Sequence, residues 1–71
     1  MLTEKQVQDI VDENLLVSDL SDSDLLEFCI LANNSYRSGN PIVSDENYDF
    51  IFISELQKRL PHEPFLQKVE S

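Results

Sequence analysis

Residues that build disulfides, metal centres and phosphate loops are scarce in this chain, which has one cysteine, one histidine and one glycine. A single cysteine cannot form a disulfide within the chain, and Cys29 is predicted to be a small buried hydrophobe. One cysteine and one histidine at distant positions predict no metal site. His62 has no evident serine or cysteine partner, so we interpret it as a loop residue. Without a glycine-rich phosphate loop either, we expect a chain that is not an enzyme by itself.

Basic residues are scarce as well. Fourteen acidic residues against five lysines and arginines give a net charge of −9. No basic residue lies between Lys5 and Arg37, a stretch that carries Asp9, Asp12, Glu13, Asp19, Asp22, Asp24 and Glu27. Such a field repels the phosphates of DNA and RNA, so we expect no direct nucleic-acid binding. It would attract a basic protein surface, and the alternative interpretation is a face that only keeps the protein soluble.

Long apolar runs and targeting signals are missing too. The sequence shows no basic leader, no membrane-length apolar segment and no cleavage-like site, which predicts a cytoplasmic protein without membrane contact. Seventy-one residues make one domain. A core of this size supplies about 3–5 kcal/mol at best, so the fold must be simple or assisted by a partner.

Three segments begin with the same helix-start pattern, a serine or threonine at the N-cap preceded by an apolar residue: Thr3, Ser21 and Ser44. The pattern predicts an all-α domain of three helices built on an antiparallel helical hairpin. The expected helices run from about residue 4 to 14, from 22 to 38 and from 45 to 60. Gly39 and Pro41 end the second helix and Pro61 ends the third. Residues 1–20 would then be an extra N-terminal helix with a connector, residues 21–60 the hairpin and residues 61–71 a C-terminal tail.

The third helix has apolar residues on two sides. One stripe is formed by Tyr48, Ile51, Phe52, Leu56 and Leu60, while Phe50 and Ile53 lie off it. A helix that is apolar on two sides is buried on two sides. Either the first helix or a partner, such as a second copy of the chain, would cover the second side. The run from Phe50 to Ile53 could also form a strand, but the Ser44 cap and the polar residues that follow favour a helix.

The turn between the second and third helices carries the densest group of chemically distinctive residues. Asp45 and Asp49 are four residues apart, and Tyr48 lies between them around the helix. An antiparallel pairing would bring Tyr36, at the end of the second helix, towards Tyr48. Two rings and two carboxylates suit a flat ligand that is cationic or rich in hydroxyl groups.

These residues resemble a known family. The pattern YRSGNPIVSDENYD at residues 36–49, followed by ELQ at 55–57, is similar to the small N-terminal domain of bacterial NAD-dependent DNA ligases, over about residues 25–65. That domain closes over the nicotinamide half of NAD while a lysine in a separate domain attacks the adenylyl phosphate. The resemblance implies nicotinamide mononucleotide (NMN) or NAD as ligand, bound by Tyr36, Asp45, Tyr48 and Asp49. Ser35 departs from the family, which has an aromatic residue there, so one ring of the site is lost.

Two functions of different classes follow. The first is a non-catalytic module that binds a nicotinamide nucleotide or a ligase-like partner, since no lysine here stands in the motif of a ligase nucleophile. The alternative is an acidic interaction or inhibitor protein, of the kind that phages use, which mimics nucleic acid and occupies a basic groove of a nucleic-acid enzyme. The residues predicted to contact a protein partner are Asp19, Asp22, Asp24, Glu27, Phe50 and Ile53.

Overall fold

The computed structural model describes residues 2–69, and the side chains of residues 2–66. Helix α1 spans Glu4–Val11, a 3₁₀ turn spans Val17–Asp19 and helix α2 spans Asp22–Ser38. Helix α3 is continuous over residues 45–59, and helix α4 spans Pro64–Val69. No strand occurs between residues 2 and 69, so the predicted all-α class is confirmed. Within the same range no helix is both long and apolar enough to cross a membrane.

Side-chain caps start the first three helices where the sequence predicts them. The Thr3 hydroxyl accepts from the Gln6 N–H at 3.1 Å, and the Gln6 side chain accepts from the Thr3 N–H at 2.9 Å, which completes a capping box. Ser21 caps α2 by accepting from Asp24, and Ser44 caps α3 by accepting from Asn47, each at 3.2 Å. These bonds satisfy amide groups that the first helical turn leaves without partners.

The ends of α1 and α2 differ in how well they match the prediction. Helix α2 ends at Gly39, which takes the left-handed conformation with φ of 88° as expected. Helix α1 ends at Val11, three residues before the predicted end at Asn14. Glu13 has φ of 65°, and this left-handed residue turns the chain out of the helix.

Helix α3 contains a wider turn in its middle. Its segments are α-helical over Asp45–Asn47, π-helical over Tyr48–Ile53 and α-helical over Ser54–Arg59. The alternative of a strand at residues 50–53 is therefore wrong. In a π-helix the backbone bonds join residues five apart, which turns residue 53 towards the face of Tyr48.

This wider turn changes which side chains are buried. Ile53 is 9% exposed and lies in the core, whereas Ile51, predicted on the buried stripe, is 37% exposed. Phe50 is 79% exposed. The prediction that Ile53 contacts a partner is corrected, because the molecule's own core covers this side chain. Of the two residues predicted to lie off the apolar stripe, Phe50 and Ile53, Phe50 is on the surface.

The C-terminal segment is helical rather than a plain tail. A turn at Pro61 and His62 is followed by α4, which starts at Pro64 and makes a fourth helix where three were expected. Proline suits the first helical position because its missing N–H would have no helical partner there and its φ is already helical. Leu66 is 6% exposed and Phe65 packs against the core, so the segment folds back onto the domain. Glu70, Ser71 and the Lys68 side chain lie outside the described residues.

The core lies between α2 and α3. The rings of Phe28 and Phe52 are 4.6 Å apart between centroids, and Leu25, Phe28 and Leu56 are fully buried. Ile10 from α1, Leu20 before α2 and Leu66 from α4 complete the same cluster. Every helix therefore contributes to one core, as a domain of this size requires.

Arg59 joins the end of α3 to the connector before α2. Its guanidinium donates to the carbonyls of Leu20 at 2.6 Å and Val17 at 3.3 Å. It also pairs with Glu55 at 2.9 Å and Asp22 at 3.4 Å. Because one rigid side chain satisfies two backbone carbonyls across the fold, it fixes the 3₁₀ turn against α3.

Replacing Arg59 with methionine should lower the free energy of unfolding by about 2–3 kcal/mol, because two carbonyls and two carboxylates lose a charged donor. Urea unfolding followed by circular dichroism measures this change. Lys58→Met is the matched control. The Lys58 side chain is 78% exposed, and its one ion pair among the described contacts is a long one, 3.9 Å to Glu55. This variant should lower the free energy of unfolding by less than about 0.5 kcal/mol. Equal losses for the two variants would contradict the role of Arg59.

Candidate functional site

Two neighbouring side chains at the end of α2 hold the loop that leads to α3. The Ser35 hydroxyl donates to the Ala32 carbonyl at 2.6 Å and accepts from the Ile42 N–H at 3.1 Å. The Tyr36 hydroxyl donates to the Val43 carbonyl at 2.7 Å. Two consecutive loop residues are thus bonded to two consecutive helix residues, and the next residue in the chain is the N-cap of α3. This arrangement sets the first turn of α3 beside the last turn of α2.

The two tyrosines of the chain meet across this junction. The ring centroids of Tyr36 and Tyr48 are 5.4 Å apart and the planes are at 76°, an edge-to-face contact. Tyr48 is 5% exposed, and its hydroxyl lies 3.4 Å from the Cys29 carbonyl. Tyr36 is half-buried. Tyr36 is therefore the ring that offers surface, while Tyr48 supports it from the core.

Both predicted carboxylates act on the Tyr36 hydroxyl. Burial raises the pKa of Tyr36 above its usual value, and the nearby negative charges of Asp45 and Asp49 raise it further. Asp45 and Asp49 are themselves exposed. The structure thus brings together the four residues that the sequence singled out, as one half-buried ring beside two solvent-facing carboxylates, with the second ring behind.

Tyr48 differs from Tyr36 in what surrounds it. Burial is the largest cause that raises the pKa of Tyr48, with smaller contributions from Cys29, Tyr36 and Asp49. A phenol that is both buried and placed near a carboxylate stays neutral at physiological pH. Its function in the site is therefore that of an uncharged support.

Ser35 has a function that sequence reasoning missed. Its hydroxyl bonds to backbone on both sides, to its own helix and to the loop, so this side chain holds the loop in place. Serine near the end of a helix often bonds the carbonyl three or four residues back, and that tendency was the available signal. The Ser35 side chain therefore holds the loop and offers no ring to a ligand.

The residues predicted to contact a partner differ in their exposure and in their contacts within the chain. Asp22 lies 3.4 Å from Arg59, and Glu27 accepts from the Leu2 N–H at 2.9 Å. Asp19 is exposed on the 3₁₀ turn and Asp24 is half-buried in the first turn of α2. Phe50 is exposed on α3. Asp22 and Glu27 thus have internal partners.

Cys29 is fully buried, as predicted. Burial raises the pKa of its thiol to about 12. A thiol in that state is neither a nucleophile nor a metal ligand at neutral pH. Among the residues that the structure describes, no group of three histidine, cysteine or acidic side chains could hold a metal ion.

The helical fold and this patch define the chain as a small helical module with a polar aromatic site on its surface. Sequence comparison then relates the module to DNA ligases. It is 40% identical over 70 residues to a DNA ligase of Vesicomyosocius okutanii, a match that covers 99% of the chain and 11% of the relative. It is 46% identical over 68 residues to a DNA ligase of Desulfotalea psychrophila, covering 96% of the chain and 10% of the relative.

A third DNA ligase, from Ruthia magnifica, is 42% identical over 55 residues, a match that covers 78% of the chain and 9% of the relative. The chain is therefore related over its whole length to a segment of DNA ligases, and it spans about a tenth of the length of these relatives. The resemblance seen at residues 36–49 is confirmed at this level. It also extends beyond residues 25–65, because the match includes α1. No family model and no solved structure matches the sequence.

The proximity of Asp45 to Tyr36 predicts a specific titration behaviour. In a Tyr48→Phe background, where Tyr36 is the sole tyrosine, the variant Asp45→Asn should lower the pKa of Tyr36, because a nearby negative charge is removed. Ultraviolet absorbance of tyrosinate measures the titration. Glu46→Gln, on the same helical turn, is the control and should leave that pKa in place. An Asp45→Asn titration that overlays the parent's would contradict the geometry.

Proposed function

We propose that this chain is a non-catalytic module that binds the nicotinamide mononucleotide half of NAD, in the manner of a DNA ligase N-terminal segment. The observation that carries the proposal is the grouping of Tyr36 with Asp45, Asp49 and Tyr48 at the junction of α2 and α3. Three of these four residues come from one helix and the fourth from another. The four residues meet because Ser35 and Tyr36 hold the loop at Ile42 and Val43. The site therefore exists only in the folded chain.

The chemistry of the patch fits one face of a nicotinamide nucleotide. The nicotinamide ring of NAD is flat and positively charged, and a tyrosine ring with carboxylates beside it attracts such a ring. The ribose carries hydroxyl groups, and ionised carboxylates are strong acceptors for them. Asp45 and Asp49 are exposed and can supply both interactions.

The same geometry limits how the nicotinamide ring of the ligand would be bound. Tyr48 is 5% exposed, so its ring backs Tyr36 and offers little surface to a ligand. Ser35 uses its hydroxyl to hold the loop. The site therefore provides one accessible ring, and the proposed binding mode is stacking on a single ring with two carboxylates at the edge.

The proposed role within a ligase is binding and orientation. When bound, NAD supplies the adenylyl group that a lysine elsewhere in such an enzyme attacks. The contribution of this chain is to hold the nicotinamide end through Tyr36, Asp45 and Asp49. The relatives are about ten times longer than the matched segment, which leaves room for a separate catalytic domain in proteins of this kind.

A second candidate function is binding to a basic protein surface, with or without nucleotide. One observation favours it: Phe50 is 79% exposed on a chain whose net charge is −9. A solvent-facing aromatic ring within an acidic protein suits an interface in which charge speeds encounter and the ring anchors the complex.

Titration with NMN tests the nucleotide proposal directly. Amide resonances of Tyr36, Asp45, Tyr48 and Asp49 should shift at millimolar NMN in two-dimensional NMR spectra. Asp45→Asn and Asp49→Asn should each weaken binding about tenfold, since each removes a charged acceptor. Glu46→Gln is the matched control, because it removes an acid from the same turn outside the four residues. If the four resonances stay in place at millimolar NMN, the proposal fails.

A further inference from the structure

A second concave surface lies beside the candidate site, between the start of α1 and the C-terminal half of α2. This groove has a volume of about 690 Å³, which is within the range of functional pockets. Its apolar floor is formed by Leu2 and Val7 on one side and by Leu31 and Ile42 on the other. None of the four nucleotide-site residues lines it, and Ser35 is the point where the groove and the junction meet.

The floor of the groove is left partly uncovered. Leu31 is 39% exposed, and Leu2, Val7 and Ile42 are each half-buried. Four aliphatic side chains that line one depression form a patch rather than isolated surface residues, and covering such a patch is favourable. On α2 the lining runs from Glu27 to Ser38, which corresponds to about three helical turns, or roughly 16 Å.

The charges around the groove select the kind of partner. Among the described residues that line it, the ionisable side chains are Glu4 and Glu27, and both are acidic. The Leu2 N–H donates to the Glu27 carboxylate at 2.9 Å, which fixes this charge at the edge of the apolar floor. The net charge of −9 adds attraction at longer range for a basic partner. Negatively charged partners, such as nucleic acids, are disfavoured by the same charges.

We propose that this groove binds an amphipathic helix of a protein partner, with aliphatic residues on one face and lysine or arginine beside them. A groove about three turns long, with four aliphatic residues in a mostly polar lining, matches the helix-in-groove mode, in which side chains at i, i+3 or i+4, and i+7 enter the groove. Aliphatic side chains would cover Leu31, Val7 and Ile42, and basic side chains would meet Glu4 and Glu27. The proposal does not depend on nucleotide binding.

The test uses the full chain and a synthetic helix of about fourteen residues, roughly four turns. The probe has leucine at i, i+3, i+7 and i+10, lysine at the flanking positions and a fluorescent label, and binding is followed by anisotropy. Leu31→Ala should weaken binding about fivefold or more, because it truncates an interface anchor. Leu16→Ala is the matched control: Leu16 is 60% exposed but lies outside the groove, so affinity should be unchanged.

A second variant tests the charge without disturbing the fold. Glu27→Gln keeps an oxygen that can accept from the Leu2 N–H and removes only the charge. It should weaken binding about two- to fivefold and reduce the dependence of affinity on salt. Glu46→Gln, an acid outside the groove, should do neither.

The outcomes separate the proposal from general attraction between opposite charges. Loss of affinity in Leu31→Ala and Glu27→Gln, with both controls unchanged, supports the proposal. Equal binding of a peptide of the same composition in scrambled order would overturn it, as would no binding of the helix. NMR shifts confined to Tyr36, Asp45 and Asp49 would also overturn it, since the peptide would then occupy the nucleotide site.

Discussion

The arrangement of this molecule depends on how two adjacent side chains hold one loop. Ser35 binds the N–H of Ile42 and Tyr36 binds the carbonyl of Val43, so the backbone that enters α3 is fixed to the last turn of α2. These two bonds hold Ile42 and Val43 against α2, while the core contact between Phe28 and Phe52 packs the middle of α3 against the same helix. With them, Asp45 is set beside Tyr36, and the ring of Tyr36 is set against Tyr48. The candidate site is therefore a consequence of loop geometry as much as of residue identity.

The wider turn in α3 completes this arrangement from the other side. The π-helical segment begins at Tyr48, the residue that packs under Tyr36, and ends at Ile53, which it brings into the core. Wider turns of this kind often occur at functional sites, because they place several side chains outside regular helical spacing. Here Tyr48, Phe52 and Ile53 are all buried while Asp49 and Phe50 face solvent. The helix can thus serve the core and the surface site within six residues.

Much of the fold could be predicted because local chemistry determines it. Helix caps depend on one side chain and the next few amides, so Thr3, Ser21 and Ser44 were recognisable, as was the left-handed Gly39. The grouping of Tyr36 with Asp45, Tyr48 and Asp49 followed from helical spacing and the expected pairing of two helices. The π-helical turn was not predictable, because regular spacing assumes 3.6 residues per turn, and the error carried over to Ile53 and Ile51. Helix α4 was missed because residues 61–71 were predicted to be a tail, although Pro64 suits a first helical position. The function of Ser35 depends on the fold, since its loop partner is seven residues away.

Hydrogen exchange at the Ile42 amide tests the central claim, which is that a hydrogen bond to Ser35 holds the loop against α2. In the native chain this N–H donates to Ser35 at 3.1 Å, so its exchange should be protected. The variant Ser35→Ala should speed that exchange by about tenfold or more, in proportion to a lost bond of about 1.5 kcal/mol. Ser38→Ala, which removes a hydroxyl bonded only to its own helix among the described contacts, should leave it slow. Fast exchange at Ile42 in the native chain, or equal exchange in the native chain and Ser35→Ala, would contradict the account.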